Sequence, residues 1–313
     1  MNILVLTGSY APETGGIAEL AQGLAGGLVA NGAGVRIVSS TAGSAAFGSP
    51  SIPVMEFELP ARGYLRRVAA SRKAVLMAAR EFDADRVIAS SWSPFAVDLP
   101  TRIKGRPLPT DILCHGMDLL EPMRSVRYRM LLRRTLGRAS RIVANSSFTA
   151  DVARSAGAAA ERTIVIHPGV DAERFRPAPR ERRSERVLLS VGRLIERKGF
   201  DLVIRALSQV VDVHPSTHYL IVGDGPDRPR LERLARSKSV DKLVRFAGAA
   251  AAADLSGFYN RADIFVMPCR HIADRGDAEG FGIVFLEAAC CELPCLAGRS
   301  GGTADAVEHG VTG

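Results

Sequence analysis

The sequence predicts an α/β fold built from two doubly wound parallel sheets, on three observations. Short apolar runs recur with helical patterns between them, in two separate series. A proline-containing polar segment divides the two series. The length, 313 residues, exceeds one typical domain and suffices for two, each with its own core. Regular alternation of strand and helix is the pattern of a parallel sheet, because parallel neighbours need a long crossover, usually a helix.

The first series of apolar runs lies at 3–7, 35–39, 86–89, 112–114 and 141–144, and the second at 187–191, 219–222, 243–247, 264–267 and 294–297. Between them, 167–186 carries Pro168, Gly169, Pro177, Pro179 and a polar run from 180 to 186, the composition of a linker. The expected organisation is a domain over 1–166, a linker over 167–186 and a second domain over 187–313. In paired α/β domains the carboxyl ends of both sheets face a shared cleft, so residues just after strands are the first candidates for a ligand site. The chain stops at Val311-Thr312-Gly313 where another strand is expected, so the second domain reads as truncated.

Composition narrows the class. With 47% hydrophobic and 24% charged residues the chain is an ordinary globular one, and no apolar run reaches the length of a membrane span. The apolar start at Met1, without a basic leader, reads as a buried first strand and sets the expected location as cytoplasmic. Five cysteines show no paired spacing, and Cys269, Cys290, Cys291 and Cys295 read as buried free thiols. A zinc site using His271 would need a second spaced pair of ligands, so no metal is expected. The net charge of +8 is uneven: residues 1–166 hold 20 Lys and Arg against 13 Asp and Glu, while the remainder is nearly balanced. An anionic partner for the first half follows.

Four motifs sit where strands end. After the first strand comes Thr14-Gly15-Gly16, where absent side chains let backbone amides and a helix start approach a phosphate; a plain tight turn is the alternative. His115, after the run 112–114, is placed to bond a substrate hydroxyl or move a proton, though a lone histidine is often structural. His167 reads as linker architecture. Arg193 and Lys198 flank a helix entry after 187–191, a pairing suited to a diphosphate, with a solvated basic loop as the alternative. The strongest constellation is Glu279-Gly280-Phe281-Gly282-Ile283-Val284-Phe285-Leu286-Glu287. Its glycines expose amides before an apolar helix, and its two glutamates, about two helical turns apart, are expected on one side. The first is placed to accept from sugar hydroxyls and the second from a ribose. Burying Glu287 without a partner would be costly.

In order and spacing, Gly15-Gly16, His115, Arg193 with Lys198, the 279–287 motif and Gly301-Gly302 together resemble the retaining glycosyltransferases of family 4, over nearly the whole chain. That resemblance implies the GT-B fold, two Rossmann-like domains facing a cleft. The stretch from Met267-Pro268-Cys269-Arg270 to Glu287 looks most like GDP-mannose-dependent α-mannosyltransferases acting on phosphatidylinositol mannosides, enzymes of cell-envelope glycolipid synthesis. It implies that Arg193 and Lys198 bind the donor diphosphate, that Glu279, Gly280, Phe281, Gly282 and Ile283 hold the transferred sugar, and that Glu287 holds the ribose. Gly15 and Gly16 would lie against the phosphates, and His115 would contact the donor sugar. No cofactor or metal is implied, the nucleotide sugar being the substrate. Ser9 departs from the acidic or amide residue often found at its position. UDP-sugar donors, or a sugar-nucleotide-binding fragment without activity, are the alternatives.

Arg124, Arg127, Arg129, Arg133, Arg134 and Arg138 crowd one expected helix, interleaved with Met130, Leu131 and Leu136. Such a face suits an anionic membrane surface, with Arg124, Arg127, Arg133 and Arg134 as contacts and peripheral attachment at the inner face of the plasma membrane; a solvated basic face is the alternative. Few aromatics accompany these arginines, so nucleic acid is not an expected partner.

Overall fold

The computed structural model describes residues 1–10, 16–41, 52–179 and 184–313. They divide into two compact units, Met1–Ile166 and His167–Gly313.

In the first unit the order is β1 (Asn2–Thr7), α1 (Gly16–Ala30), β2 (Gly34–Ser39), β3 (Val54–Glu56), α2 (Tyr64–Glu81), β4 (Arg86–Ala89), β5 (Arg102–Ile103), β6 (Arg106–Pro107), β7 (Thr110–Cys114), α3 (Met117–Met123), α4 (Val126–Arg138), β8 (Arg141–Ala144), α5 (Ser147–Ser155) and β9 (Thr163–Val165). Strands β3-β2-β1-β4-β7-β8-β9 form one sheet, each pairing parallel, while β5 and β6 make a small antiparallel hairpin. Alternation along β1 explains why the sheet has two covered faces. Ile3 and Val5 pack with Ala21 and Ala25 of α1, while Leu4 and Leu6 join the cluster of Val75 and Ala78 of α2. Every one of these side chains is almost fully buried, and each such Leu, Ile or Val contributes roughly 1.5–3 kcal/mol.

The second unit repeats the plan: β10 (Arg186–Val191), α6 (Phe200–Val213), β11 (Thr217–Val222), α7 (Arg228–Ser237), β12 (Val244–Gly248), α8 (Leu255–Asn260), β13 (Ile264–Met267), α9 (Ile283–Cys290), β14 (Cys295–Ala297) and α10 (Thr303–Ala306). Its five parallel strands run β12-β11-β10-β13-β14. Val203, Ile204 and Leu207 of α6 pack on the sheet with Leu189 and Tyr219. Each unit is thus Rossmann-like. In both, strand order reverses beside the first strand of the unit, between β1 and β4 and between β10 and β13. Ligands bind in the crevice outside the carboxyl ends of strands at such a reversal, because the flanking loops diverge there.

Residues 167–179 of the segment expected as a linker fall in the second unit, where Phe175 is 3% exposed and packs edge-on against Tyr259. Two expectations are corrected. The basic segment is two helices, not one. Arg124 caps α3, which contains Pro122, and α4 starts only at Val126. Finally, the two glutamates do not lie on one side of a helix. Gly282, at φ 98°, caps α9, so the helix begins at Ile283, after Glu279.

Candidate active site

The second unit brings its motifs together at the reversal point. The chain leaves β10 through Gly192 and Arg193, makes one tight helical turn at Glu196–Lys198 and enters α6. On the other side it leaves β13 through Pro268 and Cys269 and reaches α9 by way of Glu279. The two loops touch closely. Gly199 is left-handed at φ 77°, and a Cβ there would lie 2.2 Å from the Pro268 carbonyl oxygen, so only glycine fits. The Arg270 N–H donates to the Arg197 carbonyl at 2.8 Å.

Four charged side chains meet across this seam. Lys198 Nζ lies 2.8 Å from Glu279 Oε2, and both side chains are 11% exposed. Arg197 donates to Asp277 Oδ1 at 2.8 Å and places its Nε 3.6 Å from Glu279. That Nε is buried and has no hydrogen-bond partner among the described residues. Burial pushes the Glu279 carboxyl upward, but Lys198 and then Arg197 outweigh it and hold its pKa below the ordinary carboxylate value. Glu279 is therefore a charged acceptor at neutral pH. The Cys269 thiol lies 3.9 Å from the same carboxylate, and burial pushes it up to about 12, so it stays protonated.

Around this seam the loops supply anion-binding features. Arg193 is exposed and has no ion-pair partner among the described residues. Gly280, Phe281 and Gly282 are buried, and no side chain caps the first turn of α9. Free amides at a helix start favour an electron-rich ligand atom. Deeper in α9, Glu287 is 8% exposed and accepts from the Tyr259 hydroxyl at 2.5 Å. Burial, then Glu287, pushes the Tyr259 pKa well above its ordinary value, so the phenol remains a donor. The turn at 223–225 supports the seam: Gly223 N–H donates to Gly248, and Leu194 N–H to Asp224.

In the first unit, His115 follows β7. Its Nε2 lies 2.7 Å from the Ser90 carbonyl, which only accepts, so Nε2 donates there. The His115 N–H donates to Asp118 Oδ1 at 2.9 Å, and Trp92 Nε1 donates to the Asp118 carbonyl at 2.6 Å. Burial raises the Asp118 pKa against the pull of His115. Gly16 is the first residue of α1, and Gly15 lies outside the described residues.

Of the residues singled out from sequence, the second unit thus gathers Lys198, Glu279, Gly280, Phe281, Gly282 and Ile283 at one seam, with Arg193 beside it and Glu287 on the following helix. Arg197, Asp277, Tyr259 and Asp118 were not singled out. Arg197 adjoins Lys198 and Asp118 closely follows His115, so their charge was a usable signal. Tyr259 is 28 residues from its glutamate, and no local pattern marks it.

A family model for Glycosyltransferase Family 4 matches residues 14–174, over half of the chain, and one for Glycosyl transferases group 1 matches residues 171–313. The chain belongs to glycosyltransferase family 4. This family 4 chain is 42% identical over 157 residues to the GDP-mannose-dependent alpha-(1-6)-phosphatidylinositol monomannoside mannosyltransferase of Mycolicibacterium smegmatis, covering 47% of its own length and 41% of that protein. It is 34% identical over 193 residues to D-inositol 3-phosphate glycosyltransferase 2 of Catenulispora acidiphila, over 56% of the chain and 44% of that protein. It spans less than half of each relative. Anabaena HepE, solved with UDP and glucose, shares the GT-B fold at a TM-score of 0.76 and 24% identity, over 100% of this chain and 84% of that one.

Proposed function

We propose that this chain transfers a hexose from a nucleotide sugar, GDP-mannose favoured, to a hydroxyl of a lipid-linked or saccharide acceptor, with retention at the anomeric carbon. The observation that carries the reading is the buried Lys198–Glu279 pair at the strand reversal, beside the exposed Arg193. A nucleotide sugar needs this combination: cations for a diphosphate and, next to them, a charged acceptor for sugar hydroxyls. Arg193 and Lys198 hold the diphosphate and stabilise charge as it develops on the leaving group, so the chemistry needs no metal. Glu279 and the amides of 280–283 hold the sugar, and Glu287 holds the ribose. In the first unit, His115 is the candidate contact for the donor sugar and Gly16 the candidate for the phosphates. The acceptor hydroxyl attacks the face the diphosphate leaves, which takes up the proton.

Mannose from GDP-mannose is favoured by the mannosyltransferase relative at 42% identity. The names of both relatives contain an inositol phosphate unit, which supports an acceptor of that chemistry. A UDP-sugar is the second reading of the donor. Incubation with GDP-mannose and with UDP-glucose, plus a phosphatidylinositol mannoside, distinguishes them by which nucleotide is released. Release from neither sinks the enzyme reading. Glu279→Gln keeps the shape but removes the charge, and kcat/KM is expected to fall about 10–30-fold, since charge-assisted hydrogen bonds are roughly twice as strong as neutral ones. Nucleoside diphosphate affinity, measured by calorimetry, is expected to change far less.

Peripheral attachment to an anionic membrane is proposed for the first unit. Arg124, Arg127, Arg133 and Arg134 are exposed there, and so are Leu65, Val126 and Met130, at 80%, 64% and 69%. No helix among the described residues is long and apolar enough to cross a membrane. Sedimentation with vesicles is expected to rise with phosphatidylinositol content and fall with salt. Equal sedimentation with neutral vesicles would remove the proposal.

A further inference from the structure

His167 is the first residue of the second unit. Its ring stacks on Phe281, with centroids 5.4 Å apart and planes inclined by 28°. Its Nε2 lies 3.0 Å from Asp305 Oδ2 on α10. Phe281 is 3% exposed and sits between the two glycines of the loop that precedes α9. The segment bearing Asp305 also touches that loop directly. The Gly302 N–H donates to the Glu279 carbonyl at 2.9 Å, and Gly301, left-handed at φ 59°, runs so close that a Cβ there would lie 2.2 Å from the same oxygen. One segment, 301–305, therefore grips the loop at two points. It holds the backbone of Glu279 itself, and it holds Phe281 through His167.

We propose that His167, anchored by Asp305, is a positioning residue for the sugar-binding loop. It touches no reacting atom. By stacking on Phe281 it fixes the backbone between Glu279 and Ile283, and so the direction of the carboxylate and amides that take the sugar. Aromatic stacking suits the task because it restrains the plane of Phe281 as well as its distance. The glycines on either side of Phe281 leave the loop's main chain freer than any other sequence would. A loop of that composition needs an external restraint to hold a geometry within the fraction of an ångström that group transfer demands. The inference rests on the assignment of 279–287 to the nucleotide sugar.

Amide hydrogen exchange on the full chain tests the restraint without reference to activity. In His167→Ala, exchange over 279–285 is expected to speed up on the order of tenfold, with the rest of the second unit and the denaturant midpoint unchanged. His167→Phe keeps the stack and loses the Asp305 bond, and its exchange is expected between the two. Turnover supplies the second arm. His167→Ala is expected to lower kcat on the order of tenfold with nucleoside diphosphate affinity unchanged, and His167→Phe to recover much of it. Parent-like exchange over 279–285 overturns the proposal, as does uniform acceleration through the unit, which marks a merely structural role. If the parent turns over no nucleotide sugar, the functional reading fails, while exchange still decides whether His167 orders the loop.

Discussion

Lys198→Ala is expected to destabilise the second unit by about 3 kcal/mol and to lower kcat/KM on the order of 10³-fold. The first effect follows from what the substitution leaves behind. Glu279 is 8% exposed, and its nearest cation, at 2.8 Å, would be gone. Removing one partner of a buried ion pair costs about 3–5 kcal/mol, because the other charge remains buried and uncompensated. Arg197 moderates the loss from 3.6 Å, but it is already committed to Asp277, so the lower end of the range applies. The second effect adds lost stabilisation of the leaving diphosphate, which for a preorganised donor is on the order of 10²–10³-fold, to a displaced Glu279. Urea unfolding of Lys198→Ala, Glu279→Gln and the double variant separates the terms, and the double variant is expected to be more stable than Lys198→Ala alone. The pH dependence carries the sign. Glu279 has a folded pKa depressed below its unfolded value, so its contribution is present above the unfolded pKa and is lost as pH falls through the folded one. In Lys198→Ala burial is opposed only by Arg197, and this acid loss is expected to shrink. An equal acid loss in both proteins would show that the pair does not set the Glu279 pKa.

The two parallel sheets were legible because their strands read as short apolar runs, as at 3–6 in β1 and 187–189 in β10. β3 and β9, three residues each at the sheet's edges, carry too short a pattern to stand out from the loops around them. The break after Pro122 was hidden for a different reason. Basic residues continue through Arg124 into α4, so the charge pattern runs across a helix boundary that the proline and the extended Ser125 create. At the site, the glutamates and cations were visible as residue types, but their geometry was not. Only the structure shows that Glu279, held before the helix by the left-handed Gly282, turns toward Lys198 instead of sharing a side with Glu287. Long-range partners have no local signature. Tyr259 reaches Glu287, and His167 reaches Phe281 and Asp305, through tertiary packing alone.

Glu287→Ala is expected to weaken nucleoside diphosphate binding about 10–100-fold and to destabilise the unit by about 1–3 kcal/mol, whereas Tyr259→Phe is expected to destabilise it with little loss of binding. A hydrogen bond to a charged group is worth about 1.5–3 kcal/mol, which gives the binding range for a carboxylate that holds the ribose. The stability term has a separate origin. Tyr259 is 0% exposed, and without Glu287 its hydroxyl would be a buried donor left without the acceptor it uses now. Leaving such a group unsatisfied costs about 1–3 kcal/mol. Tyr259→Phe removes the donor instead and leaves a carboxylate that is 8% exposed to lose a short hydrogen bond, so stability falls while the ribose contact survives. Calorimetric titration with GDP, set beside urea midpoints for the two variants, separates the roles. If both variants lose stability and neither loses affinity, Glu287 serves only to tie α9 to α8, and the ribose assignment falls. If only Glu287→Ala loses affinity, the same carboxylate joins the two jobs: Tyr259 fixes it within the core, and a fixed carboxylate is what a nucleotide site needs.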